Sequence, residues 1–341
     1  MSPYHNLSIA VELACYSTFT ERQNLDQNLQ YILLALYGSI MISIWFTNSA
    51  VLYAIQSLNL MQKNGSIELI CYLCLSDLAL GFFGLPVLLA LFLTDQSCEM
   101  EIAGELLAVG WSHTSAYIIA LIGYDRFFRM KYLNRYSEVV KRKKIRCSTF
   151  VAFFLSFLHI GAQAAGIKYN FYHTITTVGI VMDWTLFVFI IIPYTLSVKV
   201  VRAHRRNTSH TQMLRQVDDT VTSVAFRITI AVTTLYSPYL ILSIVRKLFE
   251  DRNTLKTNQL FLFMWFVSHG LIYSNSFTNA IIFICVNSRC RRKLLHVFCK
   301  DINVLDSVAD SEGGSVSMVR VQSGSGKGMD NKRRRGNNNR M

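Results

Sequence analysis

Polar side chains stand inside long apolar runs of this chain. Asp77 lies within LCLSDLALGFFGLP, about halfway along one such run. An aspartate at the centre of a lipid-spanning helix costs about 2.5–3.5 kcal/mol on insertion scales, so its side chain must face the protein interior. Asn275 and Asn279 on a later run are four residues apart and share a helix face. The polar set that could surround this carboxylate is Asn48, Asp77, Ser115, Asn275, Ser276 and Asn279.

Two interpretations of this polar set are open. Oxygen ligands around one carboxylate suit a small hard cation or a water network. The same groups could instead only hydrogen-bond the helices to one another. Polarity alone does not separate a cation site from a structural cluster.

A second group of charges lies at the ends of apolar runs. Asp125 and Arg126 are adjacent and are followed by FFRMKYLNRY, while Asp218 and Asp219 precede a later run. An arginine can bind a carboxylate through two parallel hydrogen bonds. An Arg–Asp pair could therefore latch the two run ends together.

Three of the four prolines lie within apolar runs, at Pro86, Pro193 and Pro238. Proline removes a backbone donor and kinks its helix. We therefore treat these three positions as hinge candidates.

The chain carries no recognisable catalytic motif. His113, His159 and His269 do not form an HExxH metal motif, and neither GxSxG nor a Gly-rich phosphate loop occurs. We predict that the protein is not an enzyme and has no metal site beyond the possible cation. His113 and His159 are predicted to be packed or hydrogen-bonded helix residues rather than ligand contacts.

The elements that carry these residues are membrane spans. Hydrophobic residues make up 52% of the chain and charged residues only 16%, which is too little charge for a soluble surface. A helix of about 20 mostly apolar residues crosses a bilayer. Backbone N–H and C=O groups in lipid must be hydrogen-bonded within the protein, and the apolar runs here satisfy that requirement as helices. We predict an all-α bundle of seven transmembrane helices over residues 30–286. The runs are 30–56, 66–93, 102–128, 148–168, 175–201, 220–247 and 260–286.

The distribution of basic residues predicts the orientation. With the N-terminus outside, cytoplasmic segments hold 28 of the 34 Lys and Arg residues, as the positive-inside rule requires. The net charge of +13, including the KRRR cluster at 332–335, is then explained by anionic inner-leaflet lipids rather than by nucleic acid.

The ends of the chain differ in character. Residues 1–29 are predicted to be extracellular, with a glycosylation sequon at Asn6 and a possible disulfide between Cys15 and Cys98. Residues 287–299 are predicted to form a short amphipathic helix on the inner membrane surface, with Cys299 as a candidate for acylation. Residues 300–341 are poor in apolar groups and are predicted to be a disordered cytoplasmic tail.

The motifs together resemble the rhodopsin-like (class A) G-protein-coupled receptors. Over residues 30–299 the motifs occur in the same order as in that family and at nearly the same spacing. The resemblance implies a plasma-membrane receptor with an outer ligand pocket, kinked helices 5 to 7 that rearrange, and a cytoplasmic face that engages a heterotrimeric G protein. The motifs are Asn48, LSDLALGFFGLP with Asp77 and Pro86, Asp125-Arg126-Phe127, Pro193, SPY at 237–239 and NAIIF at 279–283.

The resemblance also implies roles for single residues. Arg126 matches the arginine that meets the G protein, and Asp218 matches the acidic residue of the inactive latch. The positions of the family's allosteric sodium site are matched, which favours sodium over a purely structural cluster. These positions are Asp77, Ser115, Asn275, Ser276 and Asn279.

Several positions depart from the family pattern. The usual Tyr after Asp-Arg is Phe127, the helix 6 Trp is Tyr236, and NPxxY becomes a segment with Ala280 and Phe283. Val201 stands where helix 5 usually offers a tyrosine, so two hydroxyls associated with the active state are absent. The connection between spans 4 and 5 has no cysteine, so the family's usual bridge cannot form.

The ligand class is not specified by the sequence. Ala108 replaces the aspartate of amine receptors and Tyr273 the retinal lysine of opsins, which disfavours both classes. Asp183 is the leading pocket residue, as a possible counter-ion to a cationic ligand. The pocket candidates are Glu105, Ser112, Asp183, Tyr236, His269 and Tyr273.

A transporter or channel that uses the Asp77 cluster is the alternative function. Polar residues around a cation within the membrane are the argument for it. Transporters usually show internal repeats and broken half-helices that meet at mid-membrane. The chain shows neither feature, so a signalling receptor is the preferred interpretation.

Overall fold

A computed structural model of the chain describes residues 25–60, 65–93, 98–132, 135–168, 172–207, 212–249 and 258–298. These residues are almost entirely helical and include no strand, so the all-α fold is confirmed for this part of the chain. A single helical turn at Tyr136–Val139 lies between the third and fourth helices. The helices are α1 (Gln27–Ser57), α2 (65–93), α3 (Cys98–Tyr132), α4 (Arg142–Lys168), α5 (Tyr172–Asn207), α6 (Gln212–Leu248), α7 (Gln259–Val286) and α8 (Ser288–Phe298).

Some predictions fall outside the described residues. Asn6, Cys15 and Cys299 are among them, as is the predicted tail from residue 300 onward. Helices α3 to α6 extend beyond the apolar runs predicted for them, because a run marks only the lipid-crossing part and the helix continues into polar ends.

Six helices are long and apolar enough to cross a membrane, namely α1, α2, α3, α4, α5 and α7. Helix α6 spans 37 residues, but it is not among these six, and many of its side chains lie outside the described part. The protein is a multi-pass membrane protein. The seventh span and the outside N-terminus stay predictions, and the end of the bundle that follows from them is called the predicted outer end below.

The bundle reverses the polarity of a soluble protein. On α4, Phe150, Phe154 and Phe157 are 72%, 58% and 52% exposed, whereas Asn48 and Asp77 are completely buried. Lipid can accept apolar side chains but cannot hydrogen-bond polar ones. Polar groups therefore turn toward other helices, where the candidate sites must lie.

Helix α3 is the centre of the bundle. It packs against α2, α4 and α5, and it also contacts α7. Helix α7 lies between α1 and α6, and α5 packs against α6. Side chains of α3 can therefore meet residues from most of the other spans.

Side-chain caps define the ends of two neighbouring helices. The Asp26 carboxylate accepts a hydrogen bond from the Asn28 backbone at the start of α1, and Asn258 does the same for Phe261 at the start of α7. The Asp26 backbone N–H also donates to the Gln259 side chain over 2.8 Å, which joins the two helix starts.

A π-helical turn at Leu80–Gly84 interrupts α2 between the α-helical segments Gly65–Ala79 and Leu85–Leu93. Pro86 lies two residues after the end of this turn, and a proline ring cannot sit against the carbonyl four residues before it in a regular α-helix. The wider turn gives that ring room. It begins three residues after Asp77 and lies between the polar position and the predicted outer half of α2.

Two glycines of the π turn allow close contact with neighbouring helices. A Cβ at Gly81 would lie 2.9 Å from the Trp45 ring, and a Cβ at Gly84 would lie 2.9 Å from the Ala108 Cα. Because the second neighbour is backbone, it cannot move aside by a rotamer change. Gly84 thus fixes the distance between α2 and α3.

A charged contact joins α2 and α4 at the predicted inner end. Arg146 Nε donates to Glu68 Oε1 over 2.6 Å, and the Tyr72 hydroxyl donates to the same oxygen over 3.1 Å. Glu68 is buried whereas the Arg146 side chain is 63% exposed. The pair satisfies a buried carboxylate at the edge of the membrane region.

Helix α8 is amphipathic, as predicted for the segment after the last span. Cys290 and Leu294 are buried, while Arg289, Arg291 and Arg292 are exposed. Burial also raises the pKa of the Cys290 thiol, which lowers its reactivity.

Replacement of Gly84 by alanine should destabilise the bundle. The added methyl group overlaps the Ala108 backbone, and overpacking of this kind costs about 1–3 kcal/mol. Thermal unfolding of the purified protein in one detergent measures the effect. Gly38→Ala in α1 is the matched control, because nothing lies within 4 Å of its Cβ. Equal unfolding temperatures for the two variants would contradict the close packing at Gly84.

Candidate functional site

A polar cluster joins four helices in the middle of the bundle. The Asn48 side-chain amide on α1 donates to the Ser276 carbonyl on α7 over 3.3 Å and to the Ile44 carbonyl over 3.1 Å. Ser276 and Ser115 face the Asp77 carboxylate from α7 and α3. Four of the six predicted polar residues are thus brought together, and Asn275 and Asn279 flank Ser276 on α7.

The cluster contains more polar atoms than its own hydrogen bonds satisfy. Although Ser115 and Ser276 face Asp77, neither of its carboxylate oxygens has a partner in hydrogen-bond geometry among the described residues. Other buried polar atoms without a partner there are Asn48 Oδ1, Ser115 Oγ, Asn275 Oδ1 and Asn279 Nδ2. Burying a carboxylate without compensation is costly, so the site calls for a positive charge or a proton.

The donor set fits a small hard cation. All of the unpartnered atoms of this cluster except Asn279 Nδ2 are oxygens. Such oxygen ligands suit alkali and alkaline-earth ions rather than transition metals. Asp77 supplies the negative charge, and Ser115 and Ser276 supply neutral oxygens from two other helices.

A cleft lies on the predicted outer side of this cluster and is lined by α3, α5, α6 and α7. Val109, Leu186, Leu240 and Ile272 give it an apolar lining. The side chain of Glu105, the remaining pocket candidate, lies outside the described part. The predicted candidates that do line the cleft are Ser112, Asp183, Tyr236, His269 and Tyr273.

Asp183 on α5 is already paired within the cleft wall. His113 Nε2 lies 2.8 Å from one carboxylate oxygen, and the Tyr239 hydroxyl donates to the other over 2.9 Å. A cationic ligand at Asp183 would therefore have to compete with these two partners. The carboxylate ties α5 to α3 and α6 before any ligand is considered.

His113 and Tyr239 were not among the predicted cleft residues. His113 was predicted to be a packed or hydrogen-bonded helix residue, and its contact with Asp183 agrees with that, but it also lines the cleft. Tyr239 follows the hinge candidate Pro238 in the SPY motif. The signal for both residues was Asp183 itself, since a buried carboxylate requires donors from neighbouring helices.

His159 on α4 lies behind His113 rather than in the cleft lining. The two imidazole rings are 4.7 Å apart and meet edge to face. His159 Nε2 lies 2.9 Å from the Gln163 side-chain nitrogen, and its Nδ1 lies 3.2 Å from Met182 Sδ. His159 is buried and hydrogen-bonded.

An aromatic group closes the α6 and α7 side of the cleft. His269 Nδ1 donates to the Trp265 carbonyl over 2.9 Å, and the Tyr239 ring stacks edge to face on His269 at 5.0 Å. The Arg246 guanidinium lies 4.7 Å from the centre of the Trp265 ring, in cation–π geometry. These contacts join the predicted outer halves of α6 and α7.

At the other end of α3, Asp125 accepts a hydrogen bond from the Tyr136 hydroxyl of the short helical turn. The Arg129 guanidinium lies 4.6 Å from the centre of the Tyr136 ring. Arg126 is half-buried beside Asp125. The side chain of Asp218 lies outside the described part of α6, so the predicted latch stays a prediction.

No group of three or more His, Cys, Asp or Glu side chains in the described part of the chain is arranged to hold a metal ion. The three imidazoles named above serve helix-to-helix contacts instead.

Comparison with models of protein families gives a match over most of the bundle. The family model described as 7 transmembrane receptor (rhodopsin family) matches residues 47–283. This range starts one residue before Asn48 and ends at Phe283, so it contains the polar cluster, the cleft and the Asp125-Arg126 pair. A search of the curated proteins found no match.

Loss of the Tyr239 hydroxyl should destabilise the cleft. In Tyr239→Phe one oxygen of the buried Asp183 carboxylate loses its donor, which costs about 1–3 kcal/mol. Thermal unfolding of the purified protein provides the measurement. Tyr53→Phe, at a position that is 48% exposed on α1, is the control and should unfold like the wild type. An equally small change in both variants would argue against the Asp183–Tyr239 bond.

Proposed function

The chain belongs to the rhodopsin family of seven-transmembrane receptors, and from this premise we propose that it is a plasma-membrane receptor coupled to heterotrimeric G proteins. An extracellular ligand binds in the cleft, and rearrangement of helices 5 to 7 carries the signal to the cytoplasmic face. Proteins of this family are receptors and not, in general, enzymes. The chemistry of the chain is therefore binding and conformational change.

One observation carries the proposal, namely that α3 connects the cleft, the polar cluster and the inner charged pair. Ser112 lines the cleft, Ser115 faces Asp77, and Arg126 lies at the inner end of the same helix. Arg126 follows Ser112 by fourteen residue steps, which cover about 21 Å of an α-helix. A displacement of α3 in the cleft is thereby coupled to the region that a G protein would meet.

The contacts of Asp183 supply the means of that displacement. His113 and Tyr239 connect this carboxylate to α3 and α6. A ligand that competes for any of the three groups changes the relation between α5, α3 and α6. Pro193 and Pro238 lie within α5 and α6, and each removes a backbone hydrogen bond that would otherwise resist bending.

The inner end responds through Arg126. In the resting receptor we propose that Asp218 of α6 holds Arg126, as the resemblance to the family implies. Asp125 is held by Tyr136, which supports a resting arrangement in which the adjacent Arg126 is available to a partner on another helix. Release of Arg126 then exposes it to the G protein.

A close contact between α3 and α5 supports the coupling of their movements, although two tyrosines usual in the family are absent from this chain. The Tyr194 hydroxyl donates to the Ile119 carbonyl over 3.1 Å. Its ring fills the space beside Gly123, where a Cβ would lie 2.8 Å from it. This contact makes α3 and α5 move together, although Val201 and Phe283 lack the hydroxyls found in many relatives.

Sodium is the proposed allosteric ligand of the polar cluster. The unpartnered oxygens around Asp77 support it, and their four helices include α3 and α7. An ion that binds one conformation better than another shifts the equilibrium between them. Sodium would favour the resting receptor.

G-protein activation in cells expressing the chain, measured across a panel of G-protein families, tests the proposal. We expect a basal or ligand-evoked signal that Arg126→Ala abolishes and that Arg289→Ala, at an exposed arginine of α8, retains. Asp218→Ala should raise the basal signal about fivefold by freeing Arg126, whereas the adjacent Asp219→Ala should not.

Silence across every family with the protein at the cell surface would overturn the coupling proposal. A cation current or solute uptake that depends on Asp77 and persists without G proteins would support the transporter or channel alternative. Equal basal signals from the Asp218 and Asp219 variants would contradict the proposed Arg126–Asp218 latch and would leave the coupling proposal intact.

Sodium should stabilise the purified receptor through Asp77. At ten times its dissociation constant, a ligand adds about 1.4 kcal/mol to the stability of the state that binds it. The midpoint of thermal unfolding should therefore rise in sodium chloride relative to choline chloride, and Asp77→Asn should abolish the rise. Asp183→Asn is the control and should retain it. An unchanged sodium effect in Asp77→Asn would return the cluster to a structural role.

A further inference from the structure

A patch of exposed cations lies at the start of α4, at the predicted inner end of the bundle. Residues 141–144, with the sequence KRKK, are all exposed, and they are called the α4 patch below. From position 126 to position 146 the chain has nine Lys and Arg residues and a single acidic residue, Glu138. Arg146 is paired with Glu68 of α2. The region therefore carries more positive charge than its own acidic residues can balance.

The α4 patch occupies the end of a helix at which cations are least favourable. The N-terminus of an α-helix carries partial positive charge, so an anion stabilises that end and a cation destabilises it. Helix α4 begins at Arg142, and its first turn contains no acidic residue. The Lys144 ammonium donates to the Val139 carbonyl over 3.0 Å, which satisfies a carbonyl but adds no negative charge. An anion from outside the chain would therefore stabilise the start of α4.

The lipid-facing side of α4 continues to the α4 patch. Lys143, Phe150 and Phe154 are seven and four residues apart, a spacing that places them on one face of an α-helix. The Phe150 and Phe154 side chains are 72% and 58% exposed, as expected for groups that contact lipid chains. Seven residue steps cover about 10 Å of helix, and a headgroup layer is about 5–8 Å thick. Lys143 therefore lies at the water side of the headgroup layer, next to the lipid that contacts these two rings.

The position of the α4 patch and its charge select one kind of partner. The glycerol phosphate of an ordinary lipid lies within the headgroup layer, whereas phosphates on an inositol ring extend beyond it toward water. Clusters of Lys and Arg at the cytoplasmic end of a span are typical of sites for anionic lipids of this kind. Ammonium and guanidinium groups both form charge-assisted hydrogen bonds to phosphate. A headgroup with several phosphates thus matches four neighbouring cations at this depth.

We propose that the α4 patch binds a membrane lipid of the multiply phosphorylated inositol class. The phosphates contact the cations of residues 141–144 and the first backbone N–H groups of α4, which attract anions in the same way. The acyl chains lie along Phe150 and Phe154. The inference goes beyond the proposed coupling to G proteins, because the binding of the lipid requires no G protein.

Titration of the purified receptor in neutral detergent with a bisphosphorylated inositol lipid tests the inference, with native mass spectrometry to measure the lipid-bound fraction. Each cation near an anionic lipid contributes a factor of about five in affinity, so Lys141→Gln/Lys143→Gln should weaken binding by about tenfold or more. This variant retains the Lys144 bond to Val139. Lys141→Arg/Lys143→Arg keeps both charges and should bind like the wild type.

A second double variant removes the same charge from another part of the inner surface. Arg289→Gln/Arg292→Gln takes two exposed cations from α8 and should leave the affinity for the lipid at the wild-type value. An equal loss of affinity in the α4 and α8 variants would overturn the site, because it would show a diffuse attraction to the net charge of the protein.

Two further ligands distinguish the lipid from other anions. The soluble headgroup, inositol trisphosphate, lacks the acyl chains that contact Phe150 and Phe154, so it should bind about tenfold more weakly or worse. Phosphatidylserine, with one net negative charge, should also bind about tenfold more weakly. If the soluble headgroup binds as tightly as the lipid, the partner is a soluble anion and the membrane-lipid assignment is wrong. Equal affinity for phosphatidylserine would overturn the requirement for several phosphates.

Thermal unfolding separates loss of the site from loss of the fold. In neutral detergent without the lipid, Lys141→Gln/Lys143→Gln should unfold at the wild-type temperature or above, because it removes cations from a helix N-terminus. The bisphosphorylated inositol lipid should raise the unfolding temperature of the wild type and of the α8 variant, since a ligand stabilises the state that binds it. A rise that persists in the α4 variant would overturn the proposal, as would a lower unfolding temperature of that variant in the absence of the lipid.

Discussion

Hydrocarbon cannot form hydrogen bonds, and this constraint organises the whole molecule. Each polar side chain within the spans must find its partner on another helix or within its own helix. Asp77 and Asp183 are the clearest cases, since each is a carboxylate surrounded by groups from other helices. Their different partners give them different roles. Asp183 is satisfied by protein donors and fixes helix positions, whereas Asp77 retains unpartnered oxygens that an ion or a proton can use.

The carboxylates of Asp77 and Asp183 are linked by one helix, α3. Helix α3 contacts both groups, through Ser115 toward Asp77 and through His113 toward Asp183. A change at one carboxylate is therefore felt by the helix that contacts the other. Ligands of the cleft and of the polar cluster should affect each other's affinity equally, because coupling between two binding sites is reciprocal.

The sequence predicted six of the spans and the burial of Asp77, because both follow from composition along a single helix. Asp77 was expected to face inward, since a charge in lipid is costly, and it is completely buried. Partners across helices could not be predicted, because they depend on how each helix is rotated about its axis. Tyr239 was missed for this reason, and so was the contact of Tyr136 with Asp125. The π turn before Pro86 was also unexpected, since a proline predicts a kink but not its form.

The π turn at Leu80–Gly84 has a consequence for the comparison of related chains. A π turn arises when one extra residue is inserted into an α-helix, and each residue of an α-helix accounts for about 100° of rotation. Because the wide turn absorbs that rotation locally, Asp77 before the turn still faces the bundle interior. The residues after the turn likewise keep their directions toward the neighbouring helices. A relative without the turn would have one residue fewer between these points. Its sequence should therefore be aligned with a single-residue gap inside the second helix rather than in a loop.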